Sequence, residues 1–386
     1  MKVDRKLAYL SIVLFGLVSL CGDIIYEGAR GIVSPFLHKL GASALIVGSV
    51  LGLGEFLGYA LRAAFGVLSD RTRAYWGLTI GGYLLLLSIP LLAFAGSWQM
   101  AIVLVLLERL SKAVRTPARD TLISHAAKGI GTGKAFGLHE LLDQIGAVLG
   151  PAIVAAALFT TGGKFEVAFS ILFIPFILLV LVLAVTYTKL KRPISRVMPR
   201  AGKVSLKKLP KGIVSYSIAV AFNSMGLVSI ALILYRASPA VLPWAVSLLY
   251  LATQAVDAVA APIAGYVYDS VGRKLLYLPF ALSILPSILI FLGGIEYTIA
   301  SALLFGIIFG MHESIYRAAV ADITSAKIRG SAYGIFHTFY GLGFLIGGFA
   351  FGFFLDNDLF YLALPYTLIT QALAAFFLHK TLIKSK

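Results

Sequence analysis

The sequence predicts an all-α integral membrane protein with twelve transmembrane helices, arranged as two bundles of six. Of its 386 residues, 59% are hydrophobic and only 13% are charged, a composition that excludes an ordinary soluble globular protein. Its mean hydropathy is +0.93. Apolar runs of twenty residues or more, such as Tyr75–Ala95 and Phe165–Tyr187, have the length that a helix needs to cross about 30 Å of hydrocarbon.

Short loops join the predicted spans, except at one long basic segment. The long basic segment is predicted to be a cytoplasmic linker over 188–212. It separates a predicted N-terminal six-helix bundle over 1–187 from a predicted C-terminal six-helix bundle over 213–386. The twelve spans are predicted at 7–36, 44–68, 75–95, 98–122, 134–160, 165–187, 213–235, 241–268, 275–293, 297–321, 329–354 and 359–380.

The lysines and arginines orient the chain. With a cytoplasmic N-terminus, the inner segments carry 24 of the 33 cations and the outer loops carry three. Because cytoplasmic loops are enriched in Lys and Arg, this asymmetry predicts a multi-pass protein of the plasma (cell) membrane with both termini in the cytoplasm. It also explains the net charge of +16 without a nucleic-acid partner. The linker has nine cations and no acid, which leaves contact with anionic membrane lipid as a second interpretation.

The two halves of the sequence repeat one another. A cytoplasmic loop after the second span and another after the eighth have matching spacing, and candidate gating residues lie at Gly66, Asp70, Arg71 and Arg73, and at Gly265, Asp269, Gly272 and Arg273. The fifth and eleventh spans share a glycine pattern, which lies at Gly137, Gly146, Gly150 and Pro151, and at Gly334, Gly343 and Gly347. Such small residues allow two helix backbones to approach closely. These correspondences predict an internal duplication.

These residues resemble the major facilitator superfamily (MFS). The segment from Gly66 to Arg73 is similar to the family's loop Gly-x-x-x-Asp-Arg-x-Gly-Arg, with Arg73 at the place of the usual glycine. The pattern from Gly137 to Pro151 resembles the fifth-helix motif of proton-coupled exporters. The resemblance implies the MFS fold, secondary transport by alternating access, and cytoplasmic loops that hold the outward-open state.

Eight carboxylates are embedded in the apolar stretches of the predicted spans, and none of them belongs to the third, sixth, ninth or twelfth span. A charge that faces lipid is costly, so the spans that carry charges must face protein or water. The four charge-free spans are therefore predicted at the periphery. This is the arrangement of 3+3 repeats around a central cavity.

Helical spacing places several charged residues on common faces. The candidates for proton coupling or for lining the substrate cavity are Asp23, Glu27, Glu55, Glu108, Arg109, Lys112, His139, Glu140, Asp143 and Glu313. The alternative for the acids is structural ion pairing, as in Glu108 with Lys112. For the histidines, a metal site is weighed against hydrogen-bonded core residues, and no metal ligand set is assigned. Neither a phosphate-binding loop nor a recognisable nucleophile–base set is found, so the protein is predicted not to be an enzyme and to need no cofactor.

The sequence therefore predicts a monomeric secondary transporter that moves a small molecule or ion, with protons as a partner. The fifth-span motif favours export, in the form of drug or cation exchange for protons. One alternative is a symporter of protons with a solute or a divalent metal. Another, from a different class, is a membrane receptor or scaffold that keeps the fold without transport.

Overall fold

The computed structural model describes residues 5–126, 131–197, 211–324 and 329–384, and the regular elements in these ranges are helices. In the first half they are α1 (Arg5–Lys39), α2 (Ala44–Thr72), α3 (Tyr75–Leu84), α4 (Trp98–Ala126), α5 (Thr132–Thr160), α6 (Phe165–Ser170) and α7 (Phe173–Val197). In the second half they are α8 (Lys211–Met225), α9 (Ile230–Ala237), α10 (Pro243–Val271), α11 (Tyr277–Leu282), α12 (Ile284–Leu289), α13 (Ile295–Met311), α14 (Arg317–Ile323), α15 (Arg329–Asp356) and α16 (Phe360–Lys384). The predicted all-α fold class is confirmed.

Ten helical stretches of the described chain are long and apolar enough to cross a membrane. One of them, Pro243–Leu289, has 47 residues and covers the predicted eighth and ninth spans. The helix α4 has 29 residues but is not among the ten, because charged side chains interrupt its apolar sequence. The number of twelve spans therefore stays a prediction.

The predicted third span is not one continuous α-helix. After α3 the chain continues as two short 3₁₀ segments, Leu85–Ser88 and Pro90–Phe94. Pro90 has no N–H and its ring clashes with the carbonyl four residues earlier, so the α-helical hydrogen bonding stops there. Proline interrupts the sequence of the predicted ninth span in the same way, where Pro279 and Pro286 lie in the short helices α11 and α12.

The chain forms two compact units. Unit 1 comprises Met1–Arg30 and Leu61–Val204, and unit 2 comprises Gly31–Ala60 and Ser205–Lys386. Helices α1 and α2 therefore each contribute residues to both units. The ends of the predicted linker 188–212 are helical, in α7 and α8, and its middle, 198–210, lies outside the described residues. The predicted division into bundles at this linker stays a prediction.

Glycines bring α5 against α1 in unit 1. A Cβ atom placed on Gly146 would lie 2.5 Å from the carbonyl oxygen of Leu20, and one on Gly150 would lie 2.6 Å from that of Ile24. By contrast, a Cβ on Gly137 would meet nothing within 4 Å. The glycine pattern therefore includes two positions at which backbones touch and one that is open.

Unit 2 repeats this contact with its own helices. Cβ atoms placed on Gly343 and Gly347 of α15 would lie 2.5 Å and 2.7 Å from the carbonyl oxygens of Ala221 and Met225 on α8. The fifth and eleventh predicted spans thus use matching glycines to approach the first span of their own half of the chain. This is the packing that the predicted duplication requires.

The N-terminal end of α2 is capped by a side chain from α15, also within unit 2. The carboxylate of Asp356 accepts hydrogen bonds from the backbone N–H groups of Ala44 and Leu45, both at 2.8 Å. The first N–H groups of a helix have no partner in their own helix, and a carboxylate there also interacts favourably with the helix dipole. Gly48 and Gly348 continue this close α2–α15 contact towards the helix centres.

Candidate functional site

Three cationic side chains converge on one buried tyrosine in unit 1. Tyr26, on α1, is 6% exposed. The Lys112 ammonium nitrogen lies 4.7 Å from the centroid of its ring, and the guanidinium carbons of Arg115 and Arg30 lie 5.4 Å and 5.5 Å from the same point. We call Tyr26, Arg30, Lys112 and Arg115 the Tyr26 cluster.

Helix α4 supplies two of these cations from one face, since Lys112 and Arg115 are three residues apart. Arg115 is 3% exposed and its Nη1 donates to Ser111 Oγ at 2.5 Å. The Ser111 hydroxyl donates in turn to the carbonyl oxygen of Gly82 on α3 at 2.7 Å. A Cβ on Gly82 would lie 2.6 Å from the Cβ of Arg115, so a glycine is needed where α3 passes this arginine.

The buried acid of α4 does not pair with Lys112. Glu108 is 2% exposed, and its carboxylate lies 3.3 Å from Nε of the adjacent Arg109. Lys112 instead lies over Tyr26, with its nitrogen 3.5 Å from the tyrosine hydroxyl. The ion pair between Glu108 and Lys112 that helical spacing suggested is therefore not formed.

Helix α1 places two carboxylates beside the Tyr26 cluster. Glu27 accepts a hydrogen bond from Arg30 at 3.2 Å. Asp23 is 8% exposed and interacts electrostatically with Asp143 of α5 and with Lys112 and Arg115 of α4. The structure thus brings the predicted residues Asp23, Glu27, Lys112 and Asp143 of three helices into one electrostatic cluster.

Helix α5 adds a histidine and an acid on one face. His139, 3% exposed, lies 3.7 Å from the carboxylate of Asp143. Its Nε2 is 3.3 Å from the hydroxyl of Ser19 on α1. Ser19 also contacts the Tyr83 hydroxyl at 2.8 Å and accepts from Arg119 at 2.9 Å.

Glu140 lies away from this network. It is exposed, and its carboxylate accepts a hydrogen bond from Gln144 at 3.4 Å. It is therefore separate from its neighbour His139, as the angle of about 100° between adjacent helical residues requires.

The remaining predicted acids belong to unit 2. Glu55 lies on α2, where its carbonyl oxygen is 3.4 Å from a Cβ placed on Gly341. Glu313 is exposed and lies in the π-helical segment His312–Tyr316, which joins α13 to α14.

Unit 2 has a buried network of uncharged polar side chains around α8. Asn223, on α8, is fully buried and donates to Ser283 and Gln371 at 3.0 Å and 2.9 Å. Its side-chain oxygen accepts from the Tyr316 hydroxyl at 2.7 Å. In the described residues, the first helix of each half thus carries a different network, a charged one on α1 and a neutral one on α8.

Tyr26, Ser19 and Tyr83 belong to the site although the sequence patterns do not predict them. Uncharged residues within apolar runs give no hydropathy signal, and their partners lie on other helices. One signal was present for Tyr26, because it lies four residues before Arg30 and therefore on the same helix face.

The two predicted gating loops share a backbone feature. Arg73 and Gly272 occupy corresponding positions, and both have a positive φ, which is 57° for Arg73 and 70° for Gly272. In the first loop Asp70 accepts a hydrogen bond from Tyr75 at 2.9 Å, and in the second Asp269 is exposed. The latch function of these loops stays a prediction.

Replacing Arg73 with glycine is expected to raise the free energy of unfolding by about 0.5–1 kcal/mol. A non-glycine residue in the left-handed region costs about 1–2 kcal/mol, and the greater chain entropy of an unfolded glycine cancels part of the gain. Thermal unfolding of purified protein in detergent measures the change. The reciprocal variant Gly272→Ala should lower the unfolding temperature, and a loss of stability in Arg73→Gly would contradict the explanation.

In the described ranges, no group of three or more His, Cys, Asp and Glu side chains is placed to hold a metal ion.

The sequence matches the family model of the Major Facilitator Superfamily over residues 15–236 and 212–386. An uncharacterised protein of Mycobacterium tuberculosis is 37% identical over 360 residues, which cover 90% of this chain and 87% of that relative. An uncharacterised MFS-type transporter of Methanocaldococcus jannaschii is 27% identical over 361 residues, covering 88% and 86% of the two chains. The crystal structure of the nucleoside transporter NupG superposes with a TM-score of 0.73 at 15% identity, over 96% of this chain and 98% of that one. At this identity the likeness shows the fold alone.

The helical fold and the family match identify a multi-pass membrane protein of the transporter class. The chain belongs to the Major Facilitator Superfamily.

Proposed function

We propose that this protein is a proton-coupled secondary transporter that works by alternating access and exports its substrate. It acts as a monomer in the plasma membrane, with twelve spans and both termini in the cytoplasm. The asymmetry of Lys and Arg between the loops supports this orientation.

The observation that carries proton coupling is the position of Asp23. Its carboxylate is buried and interacts electrostatically with Asp143 of α5 and with Lys112 and Arg115 of α4, and no carboxylate–cation contact within 4.0 Å involves it among the described residues. Ionisable groups inside membrane spans are costly and mark ion or substrate pathways. A buried acid that exchanges a proton for an interaction with nearby cations is what coupling needs.

The support for export is the glycine pattern of α5, which resembles the motif of proton-coupled exporters. Gly146 places α5 directly against the helix that carries Asp23, with 2.9 Å between a Cβ on the glycine and the Cβ of Asp23. Movement of α5 along α1 would therefore change the surroundings of the proposed proton-binding residue.

Two sets of charged residues bear on the sign of the substrate's charge. The excess of acids in the predicted spans favours a cation, as in drug exchange for protons. Around Tyr26, by contrast, cations are the more numerous charged groups, which favours a substrate with an anionic group.

The test is solute-dependent proton movement in liposomes that contain the purified protein and an internal pH-sensitive dye. An exchanger accumulates its solute in liposomes with an acidic lumen, whereas a symporter does so in liposomes with an alkaline lumen. Protein-free liposomes are the control. Proton movement that no anionic, cationic or neutral solute changes would contradict transport and favour a receptor or scaffold.

A further inference from the structure

We propose that the Tyr26 cluster binds an anionic group of the substrate, a carboxylate or a phosphate. This inference rests on the transport function proposed above and adds the chemical class of the solute.

The first observation is the number of cations that share one aromatic ring. A tyrosine ring face attracts a cation through its quadrupole, but this attraction is small compared with the cost of removing a full charge from water. Here Lys112, Arg115 and Arg30 lie within 5.5 Å of the ring centroid of Tyr26. Arg115 also lies 5.0 Å from the ring centroid of Tyr83, so two aromatic rings face three cations, and neither ring supplies a full counter-charge.

The second observation concerns the carboxylates. Glu27 pairs with Arg30 at 3.2 Å. No carboxylate of the described residues lies within 4.0 Å of the charged nitrogens of Lys112 or Arg115. Buried charges in proteins are normally in direct contact with a counter-charge, whereas Lys112 and Arg115 interact with the acids of α1 only at longer range.

The third observation is an unused donor on Arg115. This side chain is 3% exposed, yet its Nε has no hydrogen-bond partner. Its Nη1 is held by Ser111, which fixes the plane of the guanidinium group. A guanidinium group with a fixed orientation and an unused N–H is suited to carboxylate and phosphate oxygens.

The cations beside Lys112 disfavour a cationic ligand at this position, although Asp23 and Glu27 attract the Lys112 ammonium group. Arg30 and Arg62 both repel the Lys112 ammonium group, and a further cation would add to this repulsion. An anion beside Lys112 and Arg115 would reduce it. The acids Asp23 and Glu27 on α1 would then lie beside the bound anion.

The test measures ligand-dependent thermal stability of the full-length protein in detergent, at constant ionic strength with chloride as the reference salt. The probes are succinate for the carboxylate group, inorganic phosphate for the phosphate group, and tetraphenylphosphonium as a cation. At least one anionic probe should raise the unfolding temperature of the wild type. The probe that does so, succinate or phosphate, shows whether the cluster binds a carboxylate or a phosphate group. Lys112→Met should weaken that probe's apparent affinity by about tenfold or more, as expected for a lost charge-assisted hydrogen bond.

A matched control exists in the same unit. Lys191 lies 4.7 Å from the ring centroid of Tyr187, the same distance as in the Lys112–Tyr26 pair, but it is exposed near the end of α7. Lys191→Met should therefore leave anion binding unchanged. Lys112→Arg keeps the charge and should therefore retain part of the anion affinity of the wild type. Arg115→Met provides a second test if Lys112→Met does not fold.

The proposal is overturned if neither anion stabilises the wild type, if the anion stabilises Lys112→Met equally, or if only tetraphenylphosphonium has an effect. These measurements need no proton gradient. Solute-dependent proton movement in liposomes without anion binding would therefore overturn this inference and leave the transport function standing.

Discussion

Replacing Asp23 with asparagine is expected to reduce solute-dependent proton movement to the level of protein-free liposomes. Asparagine has nearly the same shape as aspartate but cannot take up or release a proton in the physiological range. The side chain is 8% exposed and faces the groups of α4 and α5 described above. If Asp23 carries the proton, the variant keeps the packing against Gly146 and loses only the coupling.

The control is Glu166→Gln, which makes the same chemical change at an exposed position at the start of α6. It should transport like the wild type. Both variants are compared at equal amounts of reconstituted, monodisperse protein. Proton movement in Asp23→Asn at the wild-type rate would remove Asp23 from the coupling mechanism and leave Asp143 as the next buried acid to test.

Replacing Gly150 with alanine is expected to lower the free energy of unfolding by about 1–3 kcal/mol, the usual cost of overpacking a tight contact. The added methyl group would lie 2.6 Å from the carbonyl oxygen of Ile24 and 2.8 Å from the backbone nitrogen of Gly28. Both are backbone atoms and cannot rotate away, so α1 and α5 must separate. Thermal unfolding in detergent measures the loss.

Gly137 offers a matched control on the same helix. Its added methyl group would meet nothing within 4 Å, so Gly137→Ala should stabilise the protein by up to about 1 kcal/mol through helix propensity alone. The two substitutions are chemically identical and are expected to act in opposite directions. Equal effects at both positions would show that the α1–α5 contact contributes nothing to stability.

The all-helical fold could be predicted from residue spacing in the sequence. The length of an apolar run and the interval between glycines reflect the geometry of one helix and do not require knowledge of its neighbours. The same spacing placed Asp23, Glu27 and Arg30 on one face of α1, where the structure has the Glu27–Arg30 ion pair. Spacing within α4 also suggested a pair between Glu108 and Lys112. That pair is absent because each residue has a nearer partner, and for Lys112 the partner is on another helix.

Contacts between helices account for the other parts of the site that the sequence did not reveal. The hydroxyl of Ser19 connects His139, Tyr83 and Arg119, which lie on three other helices. Serine is common in membrane helices, and its position in the sequence does not indicate which helix it faces. The family resemblance was more informative for the loops, since the family's motif has a glycine at the position of Arg73.

The cap on α2 has a consequence for biosynthesis. The Asp356 carboxylate that binds the Ala44 and Leu45 N–H groups lies more than three hundred residues downstream of them. During translation the start of α2 therefore emerges long before its partner exists, and its glycine-rich face stays uncovered until α15 has been inserted. A nascent chain that stops before α15 therefore leaves these N–H groups and the α2 glycines without their partners in α15.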